Sequence, residues 1–199
     1  MDGKIDILPI YFDTQKSYED MEEKLPFHNW MHTKTFFECV CYLGALENID
    51  ADNLDLLKVA ALYHDRGNEV TREGHEEESM KMAREELPEY GLTQEPIDAV
   101  ARFIGSTKTP TDPQDILEMI MCDSDMAVLG MDYFPYVSEL LRIELDVPQD
   151  EWIHDQIIFL ENHEYYTESA KMLFDKQKRR NLDMLKSGEY LEIVESVFP

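Results

Sequence analysis

Cysteine, glycine, proline and positive charge are all scarce in this chain. Its 199 residues include 3 Cys, 8 Gly and 9 Pro, and only 18 Lys and Arg stand against 43 Asp and Glu, a formal net charge of −25. Cys39, Cys41 and Cys122 are odd in number and sit inside apolar runs, which argues against a disulfide framework and for a reducing compartment. The shortage of cations excludes generic binding of DNA or RNA, because so negative a surface repels polyanions. No stretch approaches the roughly 20 apolar residues of a membrane span. The start, Met1-Asp2-Gly3-Lys4-Ile5-Asp6, is acidic where a signal peptide would be basic and then apolar. A cytoplasmic protein without a membrane partner is expected, and nothing in the sequence decides for or against a homodimer. With 43% hydrophobic residues there is material for one domain with a substantial core, 1–199.

Few glycines and prolines, with apolar residues recurring at three and four positions, predict an all-α fold. Helices are expected at about Met31 to Glu47, Asn53 to His64, His75 to Leu87 with Pro88 stopping it, Glu95 to Ile104, Ile116 to Val128, Tyr133 to Leu145, Glu151 to Asn162 and Ser169 to Lys186, with a short one at the end. Thr107 to Pro113 is expected as a loop. In the second helix Leu57, Ala60, Ala61 and His64 follow the i, i+3, i+4, i+7 rule, which places His64 on the buried face. The segment Ile116 to Val128 is apolar almost all round, the mark of a central helix.

Polar groups where periodicity demands burial carry the chemical information, since an unpaired buried charge costs several kcal/mol and persists with a metal or a partner. Three places qualify: His28-Asn29-Trp30-Met31-His32, with two imidazoles four residues apart at a helix start; His64-Asp65; and Asp123-Ser124-Asp125. Imidazole and carboxylate together suit one divalent ion, with Mn, Fe, Co, Ni, Zn and Mg all compatible. Asp123 and Asp125 differ by about 200° on a helix, so only one of them faces a given ion, and periodicity does not choose between them.

In order and content these pieces resemble the HD-domain superfamily of metal-dependent phosphohydrolases, and within it the bacterial branch that opens with aromatic-His-Asn-x-x-His, here Phe27 to His32. The likeness extends through Ala61-Leu62-Tyr63-His64-Asp65, Asp123 to Gly130, Arg142-Ile143-Glu144 and Arg179-Arg180-Asn181-Leu182, about 27–187 in all. The resemblance implies a single helical bundle whose metal ligands are His32, His64, Asp65 and Asp125, the last by its match to the family's Ala-Asp-Leu element. Asp123 then becomes a supporting residue or a helix cap. It implies His28 as general acid and a small phosphorylated substrate, such as a nucleotide, attacked by water that the ion activates. Asp65 joins the catalytic group through that water. Where the branch has Asn-Glu-x-x-Ser this chain has His75-Glu76-Glu77-Glu78-Ser79, which keeps the carboxylate Glu76 as a residue to position water. A general base used by other HD phosphatases falls at Asn68. The loop Thr107-Lys108-Thr109-Pro110 lacks the family's histidine and offers Lys108 to a phosphate, as does Arg142.

Bland alternatives stand beside each role: a buried histidine satisfied by its neighbour, a helix cap at His28, a hydrophilic helix start at His75 and Glu76, a surface ion pair at Arg142. His154 and His163 read as surface or inter-helix residues. At the level of function the alternatives are a catalytically silent HD-fold nucleotide-binding or regulatory domain and a di-iron oxygenase. The latter needs more histidines between the His-Asp pair and the last Asp than the lone His75.

Overall fold

A computed structural model describes residues 5–19 and 24–198. The acidic start that bears on a leader lies, from Met1 to Lys4, outside the described residues. Among the described residues there are ten α-helices and no strand: α1 Ile7–Glu19, α2 Trp30–Leu46, α3 Ala51–Tyr63, α4 His75–Glu86, α5 Gln94–Gly105, α6 Ile116–Asp125, α7 Phe134–Leu145, α8 Gln149–Asn162, α9 Glu168–Ser187 and α10 Glu189–Val197. The all-α expectation holds. No helix among them is long and apolar enough to cross a membrane, and the three cysteines are free.

Local chemistry sets where the helices start. Asn29 caps α2, its side-chain oxygen accepting from the N–H groups of Met31 and His32 while its amide donates to Pro26 O at 2.6 Å. Asp50, Asp115 and Thr167 cap α3, α6 and α9 in the same way. Each cap satisfies donors that the first helical turn cannot.

Two expectations change. Helix α1 was not anticipated, because its buried stripe of Ile10, Thr14 and Tyr18 is only three residues long and includes a threonine. The helix expected over Ile116 to Val128 ends at Asp125, and residues Met126–Gly130 tighten into a 3₁₀ turn. Helix α9 presses on this turn so closely that a Cβ on Gly130 would lie 2.4 Å from that of Phe174. Asn181, fully buried on α9, donates to the carbonyls of Leu129 and Met131, both at 2.8 Å. Those carbonyls are groups a continued helix would have paired itself.

Apolar side chains gather in two clusters. The larger joins α2, α3, α5 and α6 through residues such as Phe36, Leu43, Leu57, Val100 and Met121. The smaller joins α7 to α10 through Phe134, Leu160, Leu185, Tyr190 and Val194. Met126 packs against both, and a cavity opens beside it.

Candidate functional site

Three helices and one turn deliver imidazole and carboxylate groups to one point. His32 stands in the first turn of α2, His64 caps the C-terminus of α3, Asp65 begins the turn that follows, and Asp125 ends α6. His64 Nδ1 donates to Ala61 O at 2.9 Å, so in the neutral ring it is Nε2 that carries the lone pair, facing the shared point. That nitrogen lies 3.2 Å from His32 Nε2, and Asp65 Oδ2 lies 3.0 Å from both. Asp125 Oδ1 is 3.7 Å from His32 Nε2 and 4.0 Å from that of His64. The ligating atoms of His32, His64 and Asp125 all fall within 4.8 Å of one another.

Acceptors turned on one another in this way repel unless a cation or proton lies between them. Ligands held about 2.1 Å from one ion are about 3.0–3.4 Å apart at right or tetrahedral angles, and about 4.2 Å apart when opposite. The observed separations lie in that range, and the N/O donor set suits a divalent transition metal or Mg. The site therefore fits a metal ion.

The surroundings hold these ligands stiffly. Phe36 stacks on the His64 ring, centroids 4.1 Å apart. Arg66, next to Asp65, is buried and pairs with Glu86, which also accepts from Tyr63 Oη at 2.9 Å. Gly67 N donates to Ser79 Oγ at 2.8 Å, docking the turn on α4. Burial would raise the Asp65 carboxyl, but the charges of His64 and His28 and hydrogen bonds from His32 and His64 overcome it and hold the group well below the usual carboxylate range. Asp125 goes the other way: burial pushes it up, and repulsion from Asp65 adds to that despite the nearby imidazoles. His64 is raised, its desolvation outweighed by Asp65. A cation at the shared point would relieve the cost of burying both carboxylates.

His28 sits beside this group, Nε2 3.9 Å from Asp65 Oδ2. Its other ring nitrogen, Nδ1, donates to Glu144 Oε1, and Glu144 Oε2 accepts from the backbone N–H of Phe27 at 2.8 Å and of His28 at 3.0 Å. Desolvation opposes the charged ring, yet Asp65 and Glu144 raise its pKa. In turn, and in spite of burial, His28 and the two N–H donors lower that of Glu144. His75 Nδ1 donates to Arg72 O at 3.0 Å while Nε2 reaches Asp65 Oδ1 at 3.2 Å. Both nitrogens thus face acceptors, which requires the imidazolium; burial opposes it, but Asp65 raises the group to about 9.

These groups line a cavity of about 320 Å³ together with Glu76, Thr107, Thr109 and an apolar wall that includes Met126, Phe134, Leu141 and Phe159. The structure thus brings together His28, His32, Asp65, Glu76 and Asp125 around one space, with His64 directly behind. It does not bring Lys108 or Arg142 there. Lys108 is exposed and pairs with Glu77; Arg142 is held by Glu139 at 2.7–3.0 Å and by Val147 O at 2.7 Å. Asn68 folds back on Asp65 O at 3.1 Å. Asp123 accepts from Tyr166 N, Thr167 N and Thr167 Oγ1 at 2.7–2.8 Å, fixing the start of α9. Glu144, Ser138 and Gln156 were not anticipated as part of the site. The sequence signal for Ser138 and Gln156 is a polar residue on an otherwise apolar helix face.

A family model described as the HD domain matches residues 32–126. The chain is similar in structure to a predicted HD superfamily hydrolase from an uncultured Thermotogales bacterium, with a TM-score of 0.58 and 22% identity over 96% of this chain and 91% of that one. It is also similar to Bacillus subtilis YpgQ, whose crystal structure is a complex with ADP, with a TM-score of 0.64 and 17% identity over 95% and 98% of the two chains. No curated protein matches. The matched segment begins at His32 and ends one residue after Asp125, so it contains all four converging ligands and excludes His28, Glu144 and the helices α7 and α8. Just under half of the chain, from His32 to Met126, thus matches the HD domain.

Proposed function

We propose that this protein, working as one HD-type domain, is a divalent-metal-dependent phosphohydrolase acting on a phosphate ester. His32, His64, Asp65 and Asp125 would hold the ion. When bound it supplies a water of lowered pKa and neutralises phosphoryl charge. His28, oriented by Glu144, presents Nε2 to the cavity and donates its proton to the leaving oxygen. Glu76 orients water at the cavity wall, and His75 keeps Asp65 aligned through Oδ1. The apolar wall excludes bulk solvent, which strengthens each of these interactions.

The observation that carries this reading is the convergence of two imidazole Nε2 atoms and two carboxylates at 3.0–4.0 Å beside a cavity that a third, carboxylate-fixed imidazole also faces. YpgQ with ADP supports a small phosphorylated ligand of nucleotide type. Release of phosphate or of a nucleoside monophosphate from a panel of esters should require Mn, Co, Ni or Mg. It should vanish in His64→Ala and Asp65→Ala while circular dichroism stays helical. No turnover with any ion across nucleotides, cyclic nucleotides and phosphomonoesters would contradict it.

A further inference from the structure

Helix α2 carries a second stripe besides the one it buries. Phe36, Val40 and Leu43 point into the core, while Met31, Thr35, Glu38 and Tyr42 recur at four and three positions on another face. Two grooves lie along that face. One, of about 460 Å³, runs between Met31 and Thr35 of α2 and Tyr136, Val137 and Leu140 of α7. The other, of about 380 Å³, runs between Glu38 and Tyr42 of α2 and Leu173 and Phe174 of α9. Thr35 and Tyr133 line both, so the two grooves adjoin.

Beside these hollows stand side chains of the kind that fill them. Met31, Tyr42, Tyr133 and Tyr136 are 63, 56, 44 and 48% exposed. At about 200 Å² for a tyrosine side chain, the three tyrosines alone show about 300 Å², against roughly 800 Å² covered on each partner of a stable complex. Met31 and the groove walls go towards the remainder. Tyr136 is already fixed by stacking on Phe198, centroids 5.3 Å apart, so it has little freedom to lose on contact. Protruding tyrosines and the hollows to receive them thus share one face. That is the requirement of a two-fold contact, in which the same patch supplies both sides.

Charge selects the partner. In a chain of net charge −25, Glu38 is the one carboxylate lining either groove among the described residues, and Lys34 lies 3.8 Å from it. A polycation finds a single, already paired carboxylate there. An anionic surface is repelled by the rest of the molecule. A second copy carries the same neutral face and meets it with few like charges opposed, the remaining repulsion being screened beyond about 8 Å at physiological salt.

We propose that this face is the contact between two copies of this chain, related by a two-fold axis, with the tyrosines of each seated in the grooves of the other. The contact stands apart from the hydrolase reading. Phe27, His32 and Val128 line the first groove as well as the cavity, so the seated copy backs the wall that carries His32.

Sedimentation velocity on the full chain tests this, at about 1–100 µM protein and at about 0.05 and 0.5 M NaCl. A reversible dimer is expected, with a Kd of ~10 µM or tighter at the higher salt and several-fold weaker at the lower. Tyr42→Glu and Tyr136→Glu, with helicity and melting temperature unchanged, should each weaken it at least ~30-fold. Leu8→Glu, at a comparably exposed apolar position on α1, should leave it as it was. A wild type that stays monomeric at both salts, even one that takes up polylysine or anionic vesicles on this face, overturns the proposal. So does a dimer that survives both tyrosine substitutions, or one that tightens as salt is removed.

Discussion

An imidazole serves as a general acid only when one ring nitrogen is fixed and the other faces the reacting oxygen. At His28 the fixing falls to Glu144, which grips Nδ1 and two backbone N–H groups at once. Glu144→Gln keeps the shape and removes the charge that favours the protonated ring. In metal-loaded enzyme it should lower kcat by ~10- to 100-fold with KM within about twofold, whereas His28→Ala should cost ~10²- to 10⁴-fold; an unchanged kcat in Glu144→Gln would remove it from the machinery. His163 offers a pH signature away from the site. Burial and the Lys178 ammonium, 3.3 Å from its Nδ1, pull this ring down to about 4, against about 6.5 in an unfolded chain. Above about pH 6.5 the ring is neutral in both states and contributes no pH dependence. Between about pH 6.5 and about 4 only the unfolded chain takes up the proton, so stability falls; below that both states carry it. Wild type should therefore lose about 1–2 kcal/mol more than His163→Gln between pH 7 and pH 4 after allowance for solvent screening, as measured by urea denaturation at each pH. Equal losses would contradict the assignment.

At the level of elements, the His-Asp turn works because α4 packs almost into it. A Cβ on Gly67 would lie 1.9 Å from the carbonyl oxygen of His75 and 2.9 Å from Ser79 N, both backbone atoms that cannot rotate away. Gly67→Ala should destabilise by about 2–4 kcal/mol and lower the melting temperature by roughly 5–10 °C in scanning calorimetry; a melting point unchanged within about 1 °C would contradict this packing. Nine of the ten helices among the described residues were legible from hydrophobic period and punctuation, α1 being the exception, as was the inward face of His64, because those signals are local. The 3₁₀ turn after Asp125 and the outward commitment of Arg142 were not, since each is decided by a partner far along the chain or by a carboxylate one turn away: Asn181 and Phe174 for the first, Glu139 for the second. The sequence resemblance selected Asp125 over Asp123. The geometry adds the physical reason for the difference, since Asp123 spends both oxygens on the N–H and O–H groups that start α9.

On the scale of the whole molecule, a large cluster built on α2 to α6 carries the ligands, and a smaller cluster built on α7 to α10 closes the cavity opposite them. The net charge of −25 repels polyanions from the surface, so the phosphorylated substrate proposed above would depend on local positive charge at the cluster of His32, His64, Asp65 and Asp125. All of this rests on one cation bound at that point. Elemental analysis of the purified wild type, beside His32→Ala and Asp125→Ala variants of verified helicity, tests it most directly. One divalent metal per chain in the wild type, lost from both variants, is the predicted result; a wild type that stays metal-free after dialysis against Mn, Fe, Co, Ni, Zn and Mg, or variants that retain the ion in full, would contradict it.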